Sequence, residues 1–230
     1  MVVILVLLTF AAFVAVDLIR ERRRNAALLQ EGESVHSALN EMEPQWISGF
    51  ELKPTLAYHP AHLWVHRVSK DQGYVGLDDF ARRLVGADAS ISPVAVGTHV
   101  HQGGTTATVR RDGSETRLLS PISGEVIGVN PRLKDEPDLP FRDPYGAGWL
   151  FKIRSPRLFA ELPNLLSGSL ANRWMQDTIY RFRHQLVLAS GSVIQDGGEP
   201  VEDIASALND ASWRRLTGEF LGMQQSKWNG

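Results

Sequence analysis

The chain has 230 residues, 43% of them hydrophobic and 22% charged, with a formal net charge of −2. That composition excludes wholesale disorder and fibrous repeats, and the charge balance provides no overall basic field to hold nucleic acid. Cysteine is absent, which excludes disulfides, thiolate metal sites, cysteine nucleophiles and a lipidated N-terminal cysteine.

Val2 to Val16 carries no charge, and Thr9 is its only polar residue. Extended through Ile19, the run makes a helix of about 27 Å, close to a hydrocarbon core of ~30 Å. It lacks the basic n-region and small-x-small cleavage site of a secretory signal. A buried core helix would rarely be apolar on all sides. Arg20, Arg22, Arg23 and Arg24 follow, and by the positive-inside rule they stay cytoplasmic. Residues 1–19 are therefore expected to be a transmembrane signal anchor. It would cross the inner, cytoplasmic membrane once, N-terminus out, with the soluble part facing the cytoplasm. Asp17 fits only at the interface, where its carboxylate reaches water.

Residues 20–57 are polar with spaced apolar positions at Leu28, Leu29, Val35, Leu39 and Met42. They read as a helical stalk or linker, with Gly32 as the point where it could be interrupted. Residues 58–156 show short apolar or alternating runs between Gly, Pro and Asp, the signature of β structure. Strands are expected at Leu63–Val68, Tyr74–Leu77, Thr105–Arg111, Ser114–Leu119, Gly124–Val129 and Gly148–Ile153. Asp79–Val85 reads as a short helix, with Phe80 and Leu84 four residues apart. Residues 157–230 turn helical. Leu170–Leu188 spaces Trp174, Ile179, Phe182 and Leu186 at helical intervals, 196–200 is a turn, and Val201–Leu208 and Ala211–Leu221 are short helices.

The β segment resembles the H protein of the glycine cleavage system. Tyr58-His59-Pro60-Ala61-His62-Leu63-Trp64-Val65 is similar to that family's Y-x-x-x-H-x-W-V. Val75-Gly76-Leu77-Asp78-Asp79-Phe80-Ala81 is similar to V-G-[IL]-T-D-[YF]-A, with Asp78 in the threonine position. Ser120-Pro121-Ile122-Ser123-Gly124-Glu125-Val126 matches S-P-V-S-G-E-V. The block with Asp143, Pro144, Tyr145, Gly146, Gly148 and Trp149, running on to Ile153, is similar to D-P-Y-G-x-G-W-L-F-K-I. Ordered blocks of this kind are far more specific than one short motif. The resemblance implies a mainly β, lipoyl/biotinyl-type barrel-sandwich hybrid over 58–156. It covers neither the N-terminal helix nor the chain after Pro156.

The resemblance also implies a lysine at one hairpin tip, carrying lipoate in an amide. Counting back from Ser120 without a gap puts that lysine at Gly113, within Arg111-Asp112-Gly113-Ser114. The lysines of the chain are Lys53, Lys70, Lys134, Lys152 and Lys227, none of them in this hairpin. Guanidinium groups of Arg110 or Arg111 stay protonated and cannot replace an acylated amine. The attachment position is therefore expected to be vacant and no cofactor is expected. Asp112-Gly113 suits a two-residue type I′ turn, with Arg110 facing Glu115 and Val109 facing Thr116.

Arg110, Arg111 and Arg117, with Trp174 and Phe182, form a candidate docking surface; a solvated hairpin and packed helices are the competing reading. His59, His62, His66, His99 and His101 could ligate a transition metal, but solvated or core histidines are the commoner outcome, and no metal site is expected. No catalytic constellation stands out. Three functions stay open. The first is a non-enzymatic, non-lipoylated accessory or scaffold subunit, docked to other proteins of a larger membrane complex such as a redox or respiratory one. The others are a glycine cleavage H-type lipoyl carrier and a histidine-based metal-binding module. Neither nucleic acid nor a small-molecule substrate is indicated.

Overall fold

The computed structural model describes residues 2–190 and 204–222. Helix α1 is continuous over Val2–Asn40. Its apolar first half is fully exposed and is long and apolar enough to cross a membrane. Its second half is amphipathic and buries Leu28, Gly32, Val35 and Leu39, one stripe at helical spacing. Gly32 does not interrupt the helix. A Cβ there would lie 2.7 Å from the Trp149 indole Nε1, so glycine is what lets the helix approach. Leu28 in turn sits over Gly128, where a Cβ would come within 2.8 Å of its methyl groups. The helix therefore lies against the β structure instead of standing away from it as a free stalk.

The expected linker also folds differently. After Asn40 come β1 (Gln45–Ile47) and β2 (Phe50–Leu52), an antiparallel pair with Ile47 opposite Phe50. Ser48 and Gly49 turn the chain at φ 48° and 85°, as a two-residue hairpin requires. Phe50 and Leu52 enter the core. Then follow β3 (Ala57–Tyr58), β4 (Leu63–Arg67), β5 (Gln72–Leu77) and helix α2 (Asp79–Val85). Asp78 caps α2, accepting a hydrogen bond from the Ala81 amide. Strands β6 (Ser90–Pro93), β7 (His99–Val100), β8 (Thr105–Arg111), β9 (Ser114–Leu119) and β10 (Gly124–Val129) come next. A 3-10 turn at Pro131–Lys134, helix α3 (Leu139–Arg142) and strand β11 (Phe151–Arg154) complete the β region.

The strands form a six-stranded antiparallel sheet ordered β3-β4-β5-β11-β10-β7 and a three-stranded one ordered β6-β8-β9. One continuous core runs through Trp64, Tyr74, Val109, Val126, Phe151 and Ile153. Helices α4 (Leu158–Glu161), α5 (Gly168–Ser190) and α6 (Asp210–Phe220) follow. Phe182 of α5 and Phe220 of α6 both meet Phe80 of α2, with ring centroids 5.2 and 5.4 Å away. Trp213 donates its indole N–H to the Val85 carbonyl at 3.1 Å. The turn expected at 196–200 and the start of the helix expected over Val201–Leu208 lie outside the described residues. The described end of that helix is a short 3-10 turn, Ala205–Ala207.

Candidate functional site

The β8–β9 hairpin ends in Asp112 and Gly113, at φ 48° and 76°. Arg111 pairs with Ser114, Arg110 with Glu115 and Val109 with Thr116. Both turn residues are in the left-handed region, as type I′ geometry demands. A Cβ at Gly113 would meet nothing within 4 Å, so the tip has room for a side chain. What it lacks is an amine. No lysine occurs between Lys70 and Lys134. The residues at this tip therefore do not fit an amide-linked lipoyl arm.

The arginines around the tip have separate surroundings. Arg110 Nε pairs with Glu115 across the hairpin at 3.1 Å, both side chains about half exposed. Arg111 is largely covered, and its Nη1 donates to the Ala205 carbonyl at 2.8 Å. It ties the hairpin to the chain that leads into α6, and α6 itself packs on β9. Arg117 is exposed. Phe182 is buried between Phe80 and Phe220. Trp174 lies half-buried on His62, centroids 4.7 Å apart, and near Tyr58. The five residues proposed as one docking face are thus not one face. Arg111 and Phe182 are consumed inside the fold because their partners, Ala205 for the first and Phe80 and Phe220 for the second, lie far along the chain, which local sequence does not reveal.

The motif residues converge on a buried polar network. His62 Nδ1 lies 2.7 Å from Asp78 Oδ2, and the His62 ring stacks on Phe80 at 4.3 Å. Asp79 accepts from Arg82 Nε at 2.5 Å, Arg83 Nη2 at 2.9 Å and the Glu51 amide at 3.0 Å. The Asp79 amide donates to Tyr145 Oη at 3.0 Å, and that hydroxyl donates to the Glu51 carbonyl at 2.7 Å. Burial pushes the Tyr145 phenol well above its ordinary pKa, so it stays a neutral donor. Trp64 Nε1 donates to the Pro144 carbonyl at 3.1 Å, and Tyr58 Oη donates to the Lys53 carbonyl at 3.0 Å. The motif glycines are close-approach points. Gly76 faces the Trp64 indole, Gly124 the Arg154 carbonyl, and Gly148 the Asp143 and Leu139 carbonyls. Each group has its partner within the chain, so the network braces three separated segments and offers no reacting atom.

The histidines do not gather. Among the described residues no group of three or more His, Cys, Asp or Glu side chains could hold a metal ion. His59 accepts from the Ala61 amide, and burial lowers its pKa to about 4. Burial also lowers that of His66. Sequence reasoning missed the contact between α1 and the strongest motif block. Lys152 Nζ pairs with Glu31 at 2.6 Å, and His36 Nδ1 lies 3.4 Å from Asp143 Oδ2. The stripe at Leu28, Val35 and Leu39 was a signal for a buried face, but not for its target.

A family profile described as Glycine cleavage H-protein matches residues 56–178. The chain belongs to the glycine cleavage H-protein family. It is 35% identical over 112 residues to the glycine cleavage system H protein of Hydrogenovibrio crunogenus, covering 49% of this chain and 86% of that one. It is likewise 35% identical over 111 residues to that of Bacteroides fragilis, covering 48% and 86%. A crystal structure of the H protein from Mycobacterium marinum covers 46% of this chain and 87% of that one, at 26% identity and a TM-score of 0.42. Family membership, the 35% identity to these relatives and the two antiparallel sheets together give the chain the sheet-rich, lipoyl-like H-protein fold, with a long apolar N-terminal helix and C-terminal helices added. The family match runs beyond Pro156, where the motif reading stopped, into the first half of α5. Tyr58 shows why: its backbone bridges to Leu166, just before α5, and its ring lies near Trp174.

Proposed function

We propose that this H-protein relative is a non-enzymatic, non-lipoylated accessory subunit, anchored in the membrane through residues 1–19 and docked to other proteins of a membrane complex. Position 113 is its vacant attachment site. The observation that carries the reading is the amine-free Asp112-Gly113 tip, held as an ordinary reverse turn and tied by Arg111 to the C-terminal segment. A carrier arm needs a mobile, acylated amine at an accessible tip; this tip supplies only carboxylate, backbone and guanidinium. The exposed apolar half of α1, followed by four arginines, supports the anchor and a cytoplasmic β region. Of the suggested docking residues, Arg110 and Arg117 remain available at the surface.

The second reading, a lipoyl carrier, is favoured by the names of the relatives at 35% identity. Intact-mass measurement on full-length protein made beside an active lipoylation system separates the two. The unmodified mass is expected, in a fraction that resists alkaline carbonate extraction. A single peak bearing a lipoyl adduct would establish the carrier instead.

A further inference from the structure

A groove of about 340 Å³ lies between α1 and the turn that follows β10. Glu21, Arg24 and Leu28 of α1 form one wall; Val129, Leu133 and Lys134 form the other. We propose that this groove binds the headgroup of an anionic glycerophospholipid from the bilayer that α1 enters. The inference rests on the membrane reading above and adds a site to it. Depth is the first argument. Arg24 is five residues beyond Ile19, about 7.5 Å further along the helix axis. The polar layer extends roughly 5–7.5 Å beyond the hydrocarbon on each side, so the groove's charged rim falls at the outer edge of the headgroup layer.

Charge is the second argument. Arg24 and Lys134 have no ion-pair partner among the described residues, and both are exposed. Their neighbours are committed elsewhere: Arg132 pairs with Glu136 at 2.8 Å, and Arg142 pairs with Glu136 at 3.0 Å. Two cations against the one carboxylate of Glu21 leave the rim one positive charge in excess, suited to a monoanionic headgroup. The third argument is the floor. Leu28, four residues past Arg24 and so further from the bilayer, offers with Val129 and Leu133 an apolar surface for the carbons of a headgroup alcohol beyond the phosphate, which a free phosphate would leave uncovered. Arg22 and Arg23 do not line the groove and serve as an internal control for general attraction to an anionic leaflet.

The test titrates detergent-solubilised full-length protein with dioctanoyl phosphatidylglycerol, dioctanoyl phosphatidylcholine or inorganic phosphate, reading the thermal midpoint. Phosphatidylglycerol is expected to raise it saturably, at a concentration roughly tenfold below that of phosphatidylcholine, and phosphate is expected to have no effect. Arg24→Gln and Lys134→Gln should each weaken the effect roughly fivefold, while Arg22→Gln/Arg23→Gln leaves it unchanged. Equal response to the two lipids overturns the site. So does an equal response to phosphate, or an equal loss in the Arg22/Arg23 variant. Carbonate extraction of the same protein keeps the two readings apart. Release into the soluble fraction overturns the anchor and the site together; retention without lipid preference overturns the site alone.

Discussion

At Gly113 the backbone sits at φ 76° with nothing near the missing Cβ, so a substitution there reports backbone strain and little else. Gly113→Val should lower the urea midpoint by the equivalent of roughly 1 kcal/mol or more, because a β-branched residue resists positive φ. Gly113→Lys should cost less, and intact mass then tells whether a lipoyl ligase accepts the introduced amine. Equal midpoints for glycine and valine would refute the turn. His59 titrates in the opposite sense to an ion-paired histidine. Its folded pKa of about 4 is below its ordinary value of 6.5, so the unfolded chain binds its proton more readily. Its contribution to stability is complete above pH 6.5 and is lost as pH falls toward 4. His59→Asn keeps an acceptor for the Ala61 amide but does not titrate; thermal midpoints of the variant should therefore fall less over that range. The turn was legible because Asp-Gly is local chemistry. The partial burial of His59 was not, because no local pattern marks it.

Among the elements, α1 departs most from what its sequence suggested. Its apolar stripe was visible, but Gly32 reads locally as a break, whereas tertiary packing makes it the point of closest approach to Trp149. A glycine costs about 1 kcal/mol in a helix interior relative to alanine, and here packing offsets that cost. Gly32→Leu should therefore destabilise the fold by roughly 1–3 kcal/mol despite its better helix propensity, as overpacking against a buried indole does. Urea denaturation read by tryptophan fluorescence checks this, and a stabilised variant would show that α1 is free. The longer strands and α2 were recoverable because their alternation and caps lie in contiguous residues. The pair β1–β2 and the strands β3, β6 and β7 were missed because runs of two to four residues carry too little periodicity to read. The joint burial of Phe80, Phe182 and Phe220 was hidden for another reason: spacing marks an apolar face but does not name its partner.

For the whole molecule, the helix that carries the apolar run is the same helix that packs on the β core. Only eight residues separate Ile19 from Leu28, and all of them are helical. The β region is thus fixed close to the end of the apolar segment, without a flexible linker between them. This makes the site of truncation decisive. A chain beginning at Arg20 retains Leu28, Glu31, Val35 and Leu39, and with them the docked face. It should be soluble without detergent and unfold at the midpoint of the full-length protein. A chain beginning at Glu41 loses the burial of Leu28, Val35 and Leu39, each worth about 1.5–3 kcal/mol at full burial. It also strips Glu31 from Lys152, whose side chain is 8% exposed, and an unpaired buried charge is costly. Several kcal/mol of stability should therefore disappear between these two truncations, seen as a lower urea midpoint and exposure of the apolar face that α1 covered. Equal midpoints would mean that the second half of α1 only rests on the β core. A marked difference would make it an integral part of the folded unit, extending that unit well N-terminal of the family match at residue 56.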